Sequence, residues 1–297
     1  MDLIEHRLDG IDAYVAYFSA RPLPVLKHTV RELEHLRAEE DSVSARRLAA
    51  VVLGDPLMAM RVITFLEERR RQSQNHDITT IDRAIMMMGV SPFFQAFSEL
   101  PVVEDQLAGH PRALLGLLKV INRARRAAHF ARDWAIARHD LDVEEITLGA
   151  LLREAAEILC WSFAPALALE VQTAQIADRS LRSTLAQEAV FGCSAVEIQQ
   201  RLIFTWRLPE LLLNLIDESH GDNPRVRNIM LAGALARHSE RGWDDPALPD
   251  DFDAVCRLLH IGIEPLLKRL GVPPEFAIRY LSEPDGPETA AMPTGNP

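Results

Sequence analysis

Three stretches of the chain concentrate side chains capable of chemistry. Residues 119–132, "KVINRARRAAHFAR", carry Lys119, Arg123, Arg125, Arg126 and Arg132 on one helical segment. Residues 150–163, "ALLREAAEILCWSF", set Arg153 and Glu154 side by side within an otherwise apolar run. Between them "AIARHDLDVEE" contains the literal pair His139 and Asp140, and a further imidazole, His220, follows Ser219. Imidazole nitrogens and carboxylate oxygens that converge on a divalent cation can activate water. Two guanidinium groups side by side can instead take a phosphate through bidentate hydrogen bonds.

Each group also has a plainer use. His139 and Asp140 suit a helix C-terminus and a turn former. The cationic face from Lys119 to Arg132 suits a solvated or acid-paired surface. A buried Arg153 must find an acid or an anion, because an unpaired charge in a dry core costs several kcal/mol or more; Glu157, one turn on, is the local candidate. His220 suits a solvated position before the Gly221 turn. There is no "GxxxxGK" loop and no G-x-G-x-x-G after a strand, and "GCSAV" (192–196) fails the G-x-S-x-G pattern, so nucleotide-loop and nucleophile-elbow chemistry have no support. Cys160, Cys193 and Cys256 have no C-x-x-C spacing and read as reduced core thiols.

The elements that must position these groups are helical. Apolar residues recur at three- and four-residue spacing along nearly the whole chain, and period-two alternation is absent, which predicts an all-α protein. Ser42 is the expected N-cap of a helix stopped by Gly54; Asp55 then caps a new helix with Pro56 first. Thr79 and Asp82 have capping-box spacing, and Gly89 ends that run. Met86 to Met88 are expected to fill core gaps. Leu151, Leu152, Ala155, Ile158 and Leu159 mark 150–163 as one core helix. Trp161 and Trp206 are expected in the core, and Trp243, in the polar "ERGWDDPALPD", is a possible interface residue. Polar residues 67–77 suggest a loop and 104–111 a separator. The expected order is a helical extension at 1–20, a first lobe at 21–107, a second at 108–281 and a disordered tail at 282–297.

Forty-three acidic residues against 32 basic give a net charge of -11 and a pI near 5.4. That field argues against nucleic acid or an anionic membrane surface as the main partner. With no signal-like or membrane-spanning run, a cytoplasmic location is expected.

Five pieces resemble, in order and spacing, an HDOD domain: "LPVLKHTVRELEHL" (23–36), "SVSARRLAAVVLGDPLMAMRVITF" (42–65), "ITTIDRAIMMMGV" (78–90), "ITLGALLREAAEIL" (146–159) and "EAVFGCSAVEIQQRLIFTWRLPELLLNLIDESH" (188–220). The resemblance covers roughly residues 20–280. It implies a two-lobed helical fold whose second lobe is a degenerate relative of the HD metal-dependent phosphohydrolases. In that superfamily a His-Asp pair on a buried helix helps to hold the metal. Here the resemblance puts Arg153 and Glu154 in that slot, Asn122 and Arg123 near an upstream His position, and Ala195 at a third; His220 alone survives of a His-His pair. Arg has no lone pair to give. The implied protein is a pseudoenzyme with no catalytic or metal-binding residue and no cofactor, a regulatory module that meets signalling proteins in trans. Two alternatives follow. Arg123, Arg153, Glu154 and His220 could form a relic pocket for a nucleotide, cyclic dinucleotide or other phosphate-bearing ligand, or a phosphohydrolase could persist with divergent ligands.

Overall fold

The structure, a computed structural model, describes residues 2–73, 80–178, 180–206 and 220–281. Thr79, the stretch at 207–219 that includes Ser219, and the tail at 282–297 lie outside the described residues. Among the described residues the protein is all-α, with no strand and one isolated parallel bridge between Val25 and Val102. The first half contains α1 (Ile11–Ser19), α2 (Lys27–Ala38), α3 (Ala45–Leu53), α4 (Pro56–Ser73), α5 (Ile81–Met88), α6 (Val90–Ala96) and the short α7 (Val103–Gln106). Then come α8 (Pro111–Ala137), α9 (Val143–Leu152), α10 (Ala155–Phe163), α11 (Pro165–Ala177), α12 (Ser183–Phe191), α13 (Ala195–Trp206) and α14 (Pro224–His238). The last helices are α15 (Leu248–Leu259), α16 (Ile263–Leu270) and α17 (Pro274–Leu281). The chain divides into two compact units, Met1–Ala236 and Arg237–Pro297.

Local punctuation explains most boundaries in the first unit. Asp55 caps α4 as expected: its Oδ1 accepts from the Leu57 amide at 2.9 Å. Its Oδ2 also accepts from the Leu26 amide at 2.9 Å and the Thr29 hydroxyl at 2.8 Å, so one buried carboxylate ties the start of α4 to the start of α2. The N-cap of α3 is Ser44, not Ser42: the Ser44 hydroxyl accepts from the Arg47 amide, whereas Ser42 belongs to a 3-10 turn that precedes the helix. The expected loop at 67–77 begins inside a helix, because α4 continues to Ser73. Its Glu, Arg and Gln residues are good helix formers even where no apolar face marks them. Met86 and Met87 are exposed, so the run of three methionines is not core filler; Ile81, Ala84 and Ile85 supply the buried face of α5.

α8 is the long axis of this unit. Pro111 starts it, and His139, at φ 58°, ends it in the left-handed conformation while the Asp140 amide donates back to the Ala135 carbonyl. The face of α8 turned inward is rich in small residues: Ala113, Gly116, Ala124, Ala127, Ala128 and Ala131 are buried. They let α9 and α10 come close. A Cβ added at Gly116 would stand 2.5 Å from the Trp161 ring. Gly116→Ala is therefore expected to destabilise the fold by about 1–3 kcal/mol, the range for overpacking. An unchanged denaturation midpoint would show that Trp161 yields.

The first twenty residues pack against the second half. The Ile4 amide donates to the Phe163 carbonyl at 2.7 Å, and Tyr14 and Phe18, both fully buried, meet Phe191 and Phe163 at ring centroid distances of 5.6 Å. Arg201 on α13 pairs with Asp12 at 2.6 Å. Trp161 is buried as expected; Trp206 is only half-buried and donates to the Ser19 hydroxyl at 2.8 Å. Within the second unit, half-buried Trp243 stacks on Phe252 and its carbonyl accepts from the Tyr280 hydroxyl at 2.7 Å.

Candidate functional site

The expected core helix at 150–163 is two helices. α9 stops at Leu152, α10 starts at Ala155, and Arg153 and Glu154 form the turn between them. A side chain from α13 occupies the break. In a continuous helix the Ala156 amide would donate to the Leu152 carbonyl, four residues back. Instead it donates to Gln199 Oε1 at 2.7 Å, and Gln199 Nε2 donates to the Leu152 carbonyl at 3.1 Å. The carboxamide is thus inserted into the hydrogen-bond ladder, a recognised source of kinks.

The interruption lets Arg153 and Glu154 depart from one another. Glu154 accepts the Arg123 Nε through both oxygens, at 2.9 and 2.8 Å. Arg123 Nη2 donates to Glu157 Oε2 at 2.9 Å. The Arg123 and Glu154 side chains are only 12% and 11% exposed, whereas Glu157 is 31% exposed. One guanidinium on α8 therefore joins two carboxylates from the α9–α10 turn and the first turn of α10. Arg153 lies on the other side, against α14: a Cβ at Gly233 would stand 3.2 Å from its Nε. His220 is exposed, as is Asn122, and Ala195 is the first residue of α13.

The literal His-Asp pair takes no part in this network. His139 is the left-handed residue that closes α8. Asp140 lies 3.8 Å from Arg138 Nε and 3.5 Å from Arg225 Nε, and Arg225 reaches Asp142 at 2.5 Å. Burial pushes the Cys160 thiol well above its usual range and that of Cys193 up to about 11, so neither supplies a thiolate near neutral pH.

The donor set at the Arg153–Glu154 slot does not fit a divalent metal. Glu154 and Glu157 direct oxygens at Arg123, Arg153 and Arg123 carry fixed positive charge, and Ala195 has no donor atom. Among the described residues no group of three or more His, Cys, Asp or Glu side chains is placed to hold a metal. The same geometry disfavours a phosphate on Arg123, which would have to displace two carboxylates.

Sequence reasoning grouped Arg123, Arg153 and Glu154 and missed Gln199. Gln199 is buried beside Ile198, Leu202 and Ile203. A carboxamide on an apolar helix face needs partners, and that was the available signal. Asn228, fully buried on α14 with its Nδ2 donating to the Ala131 carbonyl at 3.1 Å, is a second such case.

No described helix is long and apolar enough to cross a membrane. Comparison with curated proteins finds no match. The structure is similar to that of the MmoQ response regulator from Methylococcus capsulatus str. Bath, with a TM-score of 0.62 and 18% identity over 84% of this chain and 98% of that one. It is also similar to a virulence factor from Campylobacter jejuni subsp. jejuni, with a TM-score of 0.64 and 19% identity over 93% of this chain and 98% of the other. At these identities the likeness is one of fold. The HDOD domain profile matches residues 23–221, two thirds of the sequence, and the chain belongs to the HDOD domain family.

Proposed function

We propose that this protein is a non-catalytic signal-transduction module that acts through contacts with other proteins. The observation that carries the reading is the Arg123–Glu154–Glu157 network, in which a fixed cation engages both carboxylates beside the position that the family resemblance gives to the metal-holding pair. Such a site has no open coordination position and no free base to activate water. The response-regulator description of one structural relative is in keeping with a signalling role. The division into an extension at 1–20 and lobes at 21–107 and 108–281, and a role for Trp243 at an interface, belong to the same proposal.

The experiment is to incubate the purified chain with Mn, Fe, Zn or Mg, remove free ion, and measure both bound metal and hydrolysis of phosphodiester and phosphomonoester substrates. No stoichiometric metal and no turnover are expected. Turnover that disappears in Glu154→Gln would overturn the reading in favour of a phosphohydrolase. Titration with a panel of nucleotides and cyclic dinucleotides tests the remaining alternative: a thermal shift abolished by Arg153→Ala would make this an anion sensor instead.

A further inference from the structure

The backbone at the α9–α10 junction contradicts its own sequence. Residues 151–157, "LLREAAE", contain no Gly, Pro or β-branched residue, and all are among the strongest helix formers. Intrinsic preference therefore favours one helix through Arg153 and Glu154. The departure from helical torsions at the junction falls on Glu154. Arg153 holds helical torsions of φ -56° and ψ -33°; Glu154, at φ -103° and ψ 20°, does not. Regular helix lies near φ -63° and ψ -42°.

What opposes the local preference is tertiary. Gln199, only 7% exposed, exchanges one backbone hydrogen bond, Ala156 amide to Leu152 carbonyl, for two of its own. Arg123 grips the Glu154 side chain from α8. Local propensity and global packing thus pull in opposite directions at one residue. Such conflicts mark strained or functional positions.

We propose that the α9–α10 junction is a one-residue hinge with two forms, kinked and continuous, and that Gln199 is the latch of the kinked form. Withdrawal of Gln199 by a movement of α13 lets the Ala156 amide bond directly to the Leu152 carbonyl and returns Glu154 to helical torsions. α10 then swings about residue 154 and carries Trp161 and Phe163, which pack on Gly116 and on the first twenty residues. The hinge goes beyond the reading of a contact-driven module: it is a property of the isolated chain, tested with no partner present, so its failure would leave that reading standing.

The test is the structure of Gln199→Leu, which keeps the bulk of the side chain and removes both bonds. A direct Leu152–Ala156 hydrogen bond and αR torsions at Glu154 are expected. A folded variant that keeps the kink would overturn the proposal, since packing alone would then set the turn. If the leucine variant does not fold, Gln199→Met serves: it keeps the length of the side chain and removes both bonds. The 13Cα shift of Glu154 in that variant is expected to move toward helical values, and an unmoved resonance would overturn the hinge.

Discussion

Arg123→Ala is expected to destabilise the first unit by about 3–5 kcal/mol, the range for breaking a buried ion pair by removal of one partner. The loss comes less from the vanished attraction than from what remains: Glu154 and Glu157 face one another across a partly desolvated turn with their guanidinium gone. A lower urea midpoint with an unchanged denaturant slope is the expected reading. Arg123→Lys is expected to fall between the two, because an ammonium keeps the charge but cannot match the fork that reaches Glu154 and Glu157 together. Glu157→Gln is expected to cost little, about 1 kcal/mol or less, since that side chain is 31% exposed and water screens it. Joint replacement of Arg123, Glu154 and Glu157 by apolar residues of similar volume is expected to recover much of the loss, because no uncompensated charge would be left. If Arg123→Ala leaves the midpoint in place, the network contributes nothing to stability.

Asp55→Ala is expected to be of the same order, about 3–5 kcal/mol, from a different cause. The Asp55 side chain is fully buried and accepts from the Leu26 amide, the Thr29 hydroxyl and the Leu57 amide. Hydrogen bonds to a charged group contribute about 1.5–3 kcal/mol each, and a buried donor left unpaired costs about 1–3 kcal/mol. Burial pushes the Asp55 carboxyl up, while these donors pull it back down. Asp55→Asn separates a capping role from a packing role. It keeps the volume but turns an NH2 group toward N–H donors, so it too is expected to destabilise strongly. An asparagine variant with the parent midpoint would show that shape, not the carboxylate, holds α2 to α4.

The two predictions differ in how far their basis could be read from the sequence. Asp55 was legible: Asp-Pro after a glycine stop is a local signal, and α4 does start at Pro56. Its second tie, to Leu26 and Thr29, was not, because those bonds span 26 and 29 residues and no local pattern encodes them. The all-α class followed from periodicity, and burial of Trp161 from an apolar neighbourhood. Ser42 failed as a cap because two serines stood within reach of the helix start and spacing alone did not choose between them. The methionines failed because α5 buries one narrow face, and two of the three fall outside it.

At the site, the grouping of Arg123 with Arg153 and Glu154 came from family resemblance, while the partner choice did not. Arg153 and Glu154 are neighbours in sequence and diverge in space, since the turn between α9 and α10 sends Glu154 to α8 and Arg153 to α14. That turn is invisible in "LLREAAE" because the side chain inserted there, Gln199, is more than forty residues away.

The packing of α1 has a consequence for how the chain acquires its fold during synthesis. Asp12 finds Arg201 across 189 residues of sequence, and Tyr14 rests on Phe191. At about 5–20 residues per second, a ribosome needs roughly 10–40 s to deliver α13 after α1 has emerged. Until Phe163 and then Phe191 emerge, Tyr14, Val15 and Phe18, all destined for burial, lack the surfaces that cover them. α1 is therefore seated long after it is made, and the nascent chain carries an uncovered apolar segment while α2 to α9 are added.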